Sequence, residues 1–237
     1  AFFLLLIQPS MCNYLFANSD PAGVFGIVLG QFLLYSLLAT IVSQLVGAGF
    51  EGEMNRDVKM GGLNKYLIRP VDYKWYQFFR FLGQKIPRLM VAVPVMAVIV
   101  GVAFWQGLPL SAGRVLGFLG SLILGMALNF SIFYCLGLLG FWLTDADKLF
   151  GTVGIVLMVA SGGVFPLDIF GGLVETVVNI LPFGYTTQFP VNIINGRFGW
   201  ERIGMGFGFQ LGWILVFACL GRHMWRQGIK RYAAVGG

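Results

Sequence analysis

Apolar residues in this chain gather into long uncharged runs separated by short polar segments. Residues 24–50, VFGIVLGQFLLYSLLATIVSQLVGAGF, contain no Asp, Glu, Lys or Arg, and about 20 such residues in a helix cross the hydrocarbon core of a bilayer. The pattern predicts six spans, at roughly 1–17, 24–49, 89–106, 115–143, 150–165 and 203–221. An outer-membrane barrel is excluded, because its strands would be about ten residues long and would alternate polar with apolar. The expected fold class is therefore all-α, a polytopic membrane protein forming a single domain over 1–237. The first run starts at residue 1 without a Met or a preceding polar segment, so a longer native N-terminus is expected upstream. AFFLLLIQ lacks a basic region and a small-residue cleavage site, and is not read as a signal peptide.

Residues 50–88 follow a different pattern. From Lys74 to Leu89, the residues Trp75, Phe78, Phe79, Leu82, Ile86 and Leu89 recur at helical spacing. Lys74, Gln77, Arg80, Gln84 and Arg88 recur on the opposite side. This predicts an amphipathic helix lying at the membrane surface, with an aromatic apolar face and a basic polar face. A shorter helix is predicted before it, at about 56–67, and Arg69-Pro70 separates the two because the residue before proline is pushed out of the α region. Two readings of this region stand: a structured loop anchored among lipid headgroups, or a surface presented to a partner.

Charge then orients the chain. The sequence is 57% hydrophobic and 11% charged, with 16 Lys and Arg and a net charge of +6. Eight of those cations, Arg56, Lys59, Lys65, Arg69, Lys74, Arg80, Lys85 and Arg88, lie in the 50–88 segment, and the tail adds Arg222, Arg226, Lys230 and Arg231. The segments 18–23, 107–114 and 166–202 hold only Arg114, Arg197 and Arg202. The positive-inside rule places 50–88 and both termini in the cytoplasm, and six spans agree in parity. Membrane lipids account for the basic balance, and no basic surface for nucleic acid is predicted.

The segment 166–202 is expected outside. Its apolar stretches are broken by Gly171-Gly172, Pro182 and Pro190, and each is too short to cross. A re-entrant helical hairpin fits, since broken backbone at membrane depth is tolerated where protein surrounds it; a surface loop with interfacial helices is the alternative. Pro166, Pro182, Phe183 and Pro190 are the candidate residues of that hairpin. Within the spans, Gln31, Tyr35, Asn129, Ser131 and Tyr134 are candidates for lining a pathway, and helix–helix hydrogen bonding explains them equally well. Gly113, Gly117, Gly120 and Gly125, then Gly204, Gly206, Gly208 and Gly212, offer small faces for close helix contact. Intramembrane charges that would mark an ion path are nearly absent. Cys12, Cys135 and Cys219 read as buried thiols, and no metal site is expected. The single histidine, His223, sits beside Arg222 at a span end, and no G-x-S-x-G elbow is present, so no catalytic residue is assigned.

Three stretches carry a family resemblance. EGEMNRDVKMGGLNKYLIRPVDYKWYQFFRFLG, with Gly61, Leu63, Leu67, Arg69, Pro70 and Val71, resembles the first cytoplasmic loop of ABC-2-type exporter permeases. LPFGYTTQFPVNIINGRF, with Leu181, Pro182, Phe183 and Pro190, resembles the outer loop of the same group, and WRQGIKRYAAVGG its tail. The matches fall in the family's order.

The resemblance implies the membrane subunit of an ATP-binding cassette exporter, moving an amphipathic or apolar substrate outward across the inner or plasma membrane of a prokaryote. It implies pairing with a second permease copy or a related permease, and a separate cytoplasmic ATPase that binds ATP and Mg. The chain has no G-x-x-x-x-G-K-[ST] of its own and is expected to carry no cofactor. The short helix of the first cytoplasmic loop would serve as a coupling helix, and Arg56, Gly61, Leu63, Tyr66, Leu67 and Arg69 are its expected docking surface. The short loop Thr144–Lys148 is a minor candidate contact, or a turn capping the fifth span. The alternatives are an ion-coupled transporter or channel, and a partner subunit that does not itself transport.

Overall fold

The computed structural model describes residues 29–68, 71–105, 111–143, 146–163 and 180–232. Helix is the only regular structure among them. Three helical stretches are long and apolar enough to cross a bilayer: Leu34–Lys59, Ala112–Phe141 and Trp200–Gly228. A fourth is bent, with Tyr73–Gly83 meeting Ile86–Val98 at 43°. Of the six expected spans, the described residues show three, or four with the bent pair. The first, at 1–17, lies outside them.

Helix α1, Leu29–Val46, turns Tyr35, Leu38, Val42 and Leu45 inward. They pack with Phe118 and Leu122 of α6, Ala112–Leu138, and with Val191 and Ile193 of α8, Gln188–Ile194. A second core lies nearer the basic end. There α2, Glu51–Lys59, and α4, Tyr73–Gly83, bring Phe50, Met54, Tyr73 and Phe81 against Leu128, Phe130 and Leu138 of α6. The Phe50 ring stacks on Phe130 at 5.2 Å and meets Phe81 edge-on at 5.9 Å. Helix α6 runs through both cores. It also packs along α9, Trp200–Gly228.

Where α1 stops, the sequence Gly47-Ala48-Gly49 breaks the helix and leaves carbonyls open. Side chains from two other parts of the bundle satisfy them. Asn129 Nδ2 of α6 donates to Val46 O at 2.8 Å. Lys85 Nζ donates to Gly47 O, and Arg88 Nη1 to Gln44 O at 3.1 Å. Lys85 precedes α5, Ile86–Trp105, and Arg88 lies in its first turn. Cations at a helix C-terminus are favourable for the same reason that carbonyls there are unpaired.

Glycines permit the close contacts. An added Cβ at Gly125 would lie 2.9 Å from Thr186 O, and one at Gly113 2.8 Å from the Trp200 ring. Gly206 faces the Phe189 ring just as tightly, and Gly117 and Gly120 make looser contacts with Ile193 and Phe207. Gly204, Gly208 and Gly212 of α9 face open space instead. The buried Gln210 Nε2 donates to Ser121 O, Ser121 Oγ and Tyr185 O, tying α9 to α6 and to the 181–187 turn.

Three sequence expectations change in detail. The fifth expected span, 150–165, is the 15-residue helix α7, Ala146–Ala160. At about 1.5 Å per residue it is shorter than the hydrocarbon core. It ends because Gly162 adopts φ 73, with Gly162 N–H bonded to Val159 O and Gly163 N–H to Met158 O, a Schellman stop. The expected helix at 56–67 is two pieces, α2 and the one-turn α3, Asn64–Leu67, because Gly61 sits at φ 74 between them. The expected surface helix from Lys74 to Leu89 breaks at Gln84 and Lys85. Its Trp75, Phe79 and Ile86 are exposed as the apolar face requires, but Gln77 and Lys85 are buried. They point inward because the chain offers each a partner: Tyr73 Oη accepts from Gln77 Nε2 at 2.8 Å, and Gly47 O accepts from Lys85.

The Gly125 contact is with backbone, which cannot swing aside. Gly125→Ala is expected to lower the unfolding free energy by about 1–3 kcal/mol, as overpacking does. Thermal unfolding in detergent measures it, and an unchanged midpoint would show that the 181–187 turn is not held by this contact.

Candidate functional site

The stretch from Phe50 to Gly83 folds into a platform at the basic end of the bundle. Helix α2 carries Glu51 and Glu53 in its first turn and Arg56 and Lys59 in its last, matching the helix dipole. Its buried Met54 and Asn55 press on Gly137 and Gly140, where an added Cβ would meet Met54 Sδ at 2.8 Å and Asn55 Oδ1 at 2.7 Å. The chain then reverses at Gly61-Gly62. Gly61 supplies the positive φ, and Gly62 leaves room for Asp57, whose Oδ1 would lie 2.6 Å from an added Cβ.

Asp57 organises the turn. Its Oδ2 accepts from Tyr73 Oη at 3.0 Å, its Oδ1 lies 3.9 Å from Lys65 Nζ, and its carbonyl accepts the Leu63 N–H at 3.0 Å. Asp72 caps α4 by accepting from Lys74 N at 2.8 Å. Arg80 and Glu53 form an ion pair at 2.5 Å, joining α4 to α2.

Aromatic rings fasten this platform to the end of α9. Tyr66 sits against Tyr73 at 5.1 Å and Tyr76 at 4.7 Å. Tyr73 stacks on Trp225 at 5.3 Å, and Trp225 meets Phe141 edge-on at 6.0 Å. Tyr232 Oη donates to Asn64 Oδ1 at 3.0 Å. Burial, then the neighbouring Tyr76 hydroxyl, holds the Tyr66 hydroxyl above its ordinary pKa.

The predicted docking residues take different places in this platform. Arg56 and Leu67 are exposed on its outer side, Leu67 at 47%. Gly61 makes the turn, and Tyr66 is half-buried in the aromatic cluster. Leu63 is 0% exposed and supports the turn from within. Arg69 lies outside the described residues. Sequence reasoning passed over Met60, 77% exposed, and gave Ile68, 83% exposed, no role of its own. It also missed the bracing pair Asp57 and Tyr73, and Trp225. The clue available was the repeat of aromatics at 66, 73 and 76, but their partners on α9 are about 150 residues away.

The polar residues proposed for a pathway are held by intramolecular bonds. Tyr35 Oη donates to Gly162 O at 2.9 Å, and Ser131 Oγ donates to Ala127 O within its own helix at 2.8 Å. Asn129, bonded to Val46 O, also lines a cavity of about 450 Å³ between α1, α6, α7 and the 183–187 turn. Tyr134 is buried and borders a different cavity of about 410 Å³, between the platform and α9. Gln31 lies in α1, and its side chain is outside the described residues. In the region expected outside, Pro182 and Pro190 are buried and Phe183 half-buried. Pro190 stands in the first turn of α8, where a missing N–H is harmless. Pro166, Asp168, Glu175 and Cys12 lie outside the described residues, as do Thr144 and Asp145. Cys135 is buried, with Sγ 3.4 Å from Phe217 O, whereas Cys219 is exposed rather than buried as expected, because α9 turns it away from the bundle.

A search among curated proteins finds no match to this chain. A family model described as "ABC-2 family transporter protein" matches residues 9–236, nearly the whole length. Apolar helices of spanning length and that match agree: the chain belongs to the ABC-2 transporter family, as an integral membrane transport component whose membership implies an ATP-binding cassette ATPase as its partner.

Proposed function

We propose that this chain is the permease subunit of an ATP-binding cassette exporter, moving an amphipathic or apolar substrate outward with a separate ATPase that binds ATP and Mg. The observation that carries this reading is the outer side of the platform. Met60, Leu67 and Ile68 stand exposed among Arg56 and Lys65, on a base fixed by Asp57, Tyr73 and Trp225. Apolar side chains clustered at a basic, water-facing tip favour a protein surface that covers them. Arginine at its edge suits a carboxylate of the partner.

The same end of the bundle carries the platform cations and, across the Tyr232–Asn64 bond, those of the tail. This supports a cytoplasmic platform and cytoplasmic termini in the plasma membrane of a prokaryote. The open glycine face of α9 at Gly204, Gly208 and Gly212 supports pairing with a second permease copy or a relative. Pro182, Phe183 and Pro190 are the described part of the outer hairpin proposed to seal the exit of the pathway. On this reading a docked ATPase moves a rigid platform, and the platform moves α1, α6 and α9 through the bonds that hold it to them.

Replacing Leu67 and Arg69 together by Asp is expected to abolish recovery of the ATPase in a detergent pull-down, with insertion unchanged. Undiminished recovery would remove the platform from the docking surface. Asp57→Ala tests the bracing: trypsin should cleave after Lys59 and Lys65 several times faster, because the turn loses the Tyr73 hydrogen bond, worth about 1 kcal/mol, and the weaker Lys65 ion pair. Equal cleavage rates in variant and parent would mean that Asp57 does not organise the turn.

A further inference from the structure

The cavity between α1, α6 and α7 has a division of chemistry that no pathway residue named above explains. Its volume of about 450 Å³ falls within the range of about 300–1,000 Å³ usual for small-molecule sites. One wall is apolar, formed by Phe133, Phe150, Ile155 and Leu157. Ile155 and the adjacent Val156 are exposed on α7, so this wall continues onto an apolar outer surface. The opposite wall, where α1 breaks into α2, is polar.

Two charged residues with opposite signs line that polar end, Glu51 and Arg88. They are not paired with each other: the ion pairs among the described residues are Lys65–Asp57 and Arg80–Glu53. Arg88 spends one N–H on Gln44 O, which fixes its head beside the cavity. Glu51 Oε2 is buried and has no hydrogen-bond partner. A carboxylate oxygen removed from water without a donor is costly, so the site gains from a cation placed there. A guanidinium suits a phosphate for the complementary reason.

We propose that this cavity binds a zwitterionic amphiphile, with its phosphate on Arg88, its ammonium group on Glu51 and its hydrocarbon along Phe133, Ile155 and Leu157. A purely cationic amphiphile would satisfy Glu51 but meet Arg88, and a purely anionic one would do the reverse. A neutral one leaves Glu51 Oε2 unpaired. The site rests on the permease reading only in treating its occupant as cargo.

The test is equilibrium binding to the full chain purified in an uncharged maltoside detergent, with three fluorescent probes of one tail length. Their headgroups are phosphoethanolamine, phosphate and a primary ammonium. The phosphoethanolamine probe is expected to bind about tenfold more tightly than either of the others, since each lost charge-assisted contact costs roughly that factor. Glu51→Gln should erase the margin over the phosphate probe, and Arg88→Gln the margin over the ammonium probe. Glu51→Asp and Arg88→Lys, which keep each charge, should retain both margins and show that the Gln effects are not misfolding. Equal binding of the three probes, or margins untouched by the Gln variants, overturns the site. ATPase recovery is scored on the same preparations. A chain that recruits ATPase without headgroup preference keeps the permease reading and loses the site, and one that prefers phosphoethanolamine without recruiting ATPase does the opposite.

Discussion

The carbonyls left open where α1 ends at Val46 constrain the rest of the structure. An unpaired backbone group near or within a bilayer costs several kcal/mol, so a span can break only where protein supplies donors. Here the donors are Asn129 from α6, Lys85 from the corner between α4 and α5, and Arg88 from α5. Those three bonds fix where α6 crosses α1 and where the α4–α5 corner sits. They also place Phe50 and α2 over the Phe81 and Phe130 rings, and the platform follows from that position. Lys85 gains further from lying 4.4 Å over the Phe81 ring, which lets a buried cation stay near the helix end it serves.

What could be read from the sequence was what depends on local pattern. Charge-free runs overlap α1, α5, α6 and α9, although α9 extends to Gly228 beyond the expected end at 221, because burial in hydrocarbon excludes charge whatever the neighbours are. The reading failed where a residue's role depends on a distant partner. Gln77 fits a polar helix face by spacing, yet the Tyr73 hydroxyl draws it inward. Leu63 looked like an anchor because leucine suits one, but the Gly61-Gly62 reversal folds it into the core. Gly61 and Gly62 were visible in the sequence as a doublet. Their meaning as a turn comes from Asp57, which fills the space a Cβ would need.

The pathway candidates carry the same lesson. Polar residues in apolar spans stand out, and the sequence offered two roles for each. Tyr35 reaches Gly162 across 127 residues and Asn129 reaches Val46 across 83, so both act first as ties between helices. Gln210 drew no notice, although its three bonds join α9 to α6 and to the 181–187 turn. Side chains that line the cavity and side chains that hold it open are chemically alike. Only their partners separate them.

The proposed docking surface and the proposed ligand cavity meet at one short stretch of chain. Glu51 begins α2, the first helix of the platform, and Arg88 lies in the first turn of α5, just after the corner that closes it. Both sit beside the break in α1. If an ATPase moves the platform, Glu51 moves with α2, while Asn129 and the apolar wall of the cavity belong to α6 and α7. A zwitterion held between Glu51 and Arg88 would then be gripped or released by the same displacement. Coupling between two sites is reciprocal in free energy, so a ligand that prefers one platform position must in turn favour the ATPase state that produces it. The break in α1 is thus well placed to carry coupling in both directions, because there the platform, the bundle and the cavity share bonded groups.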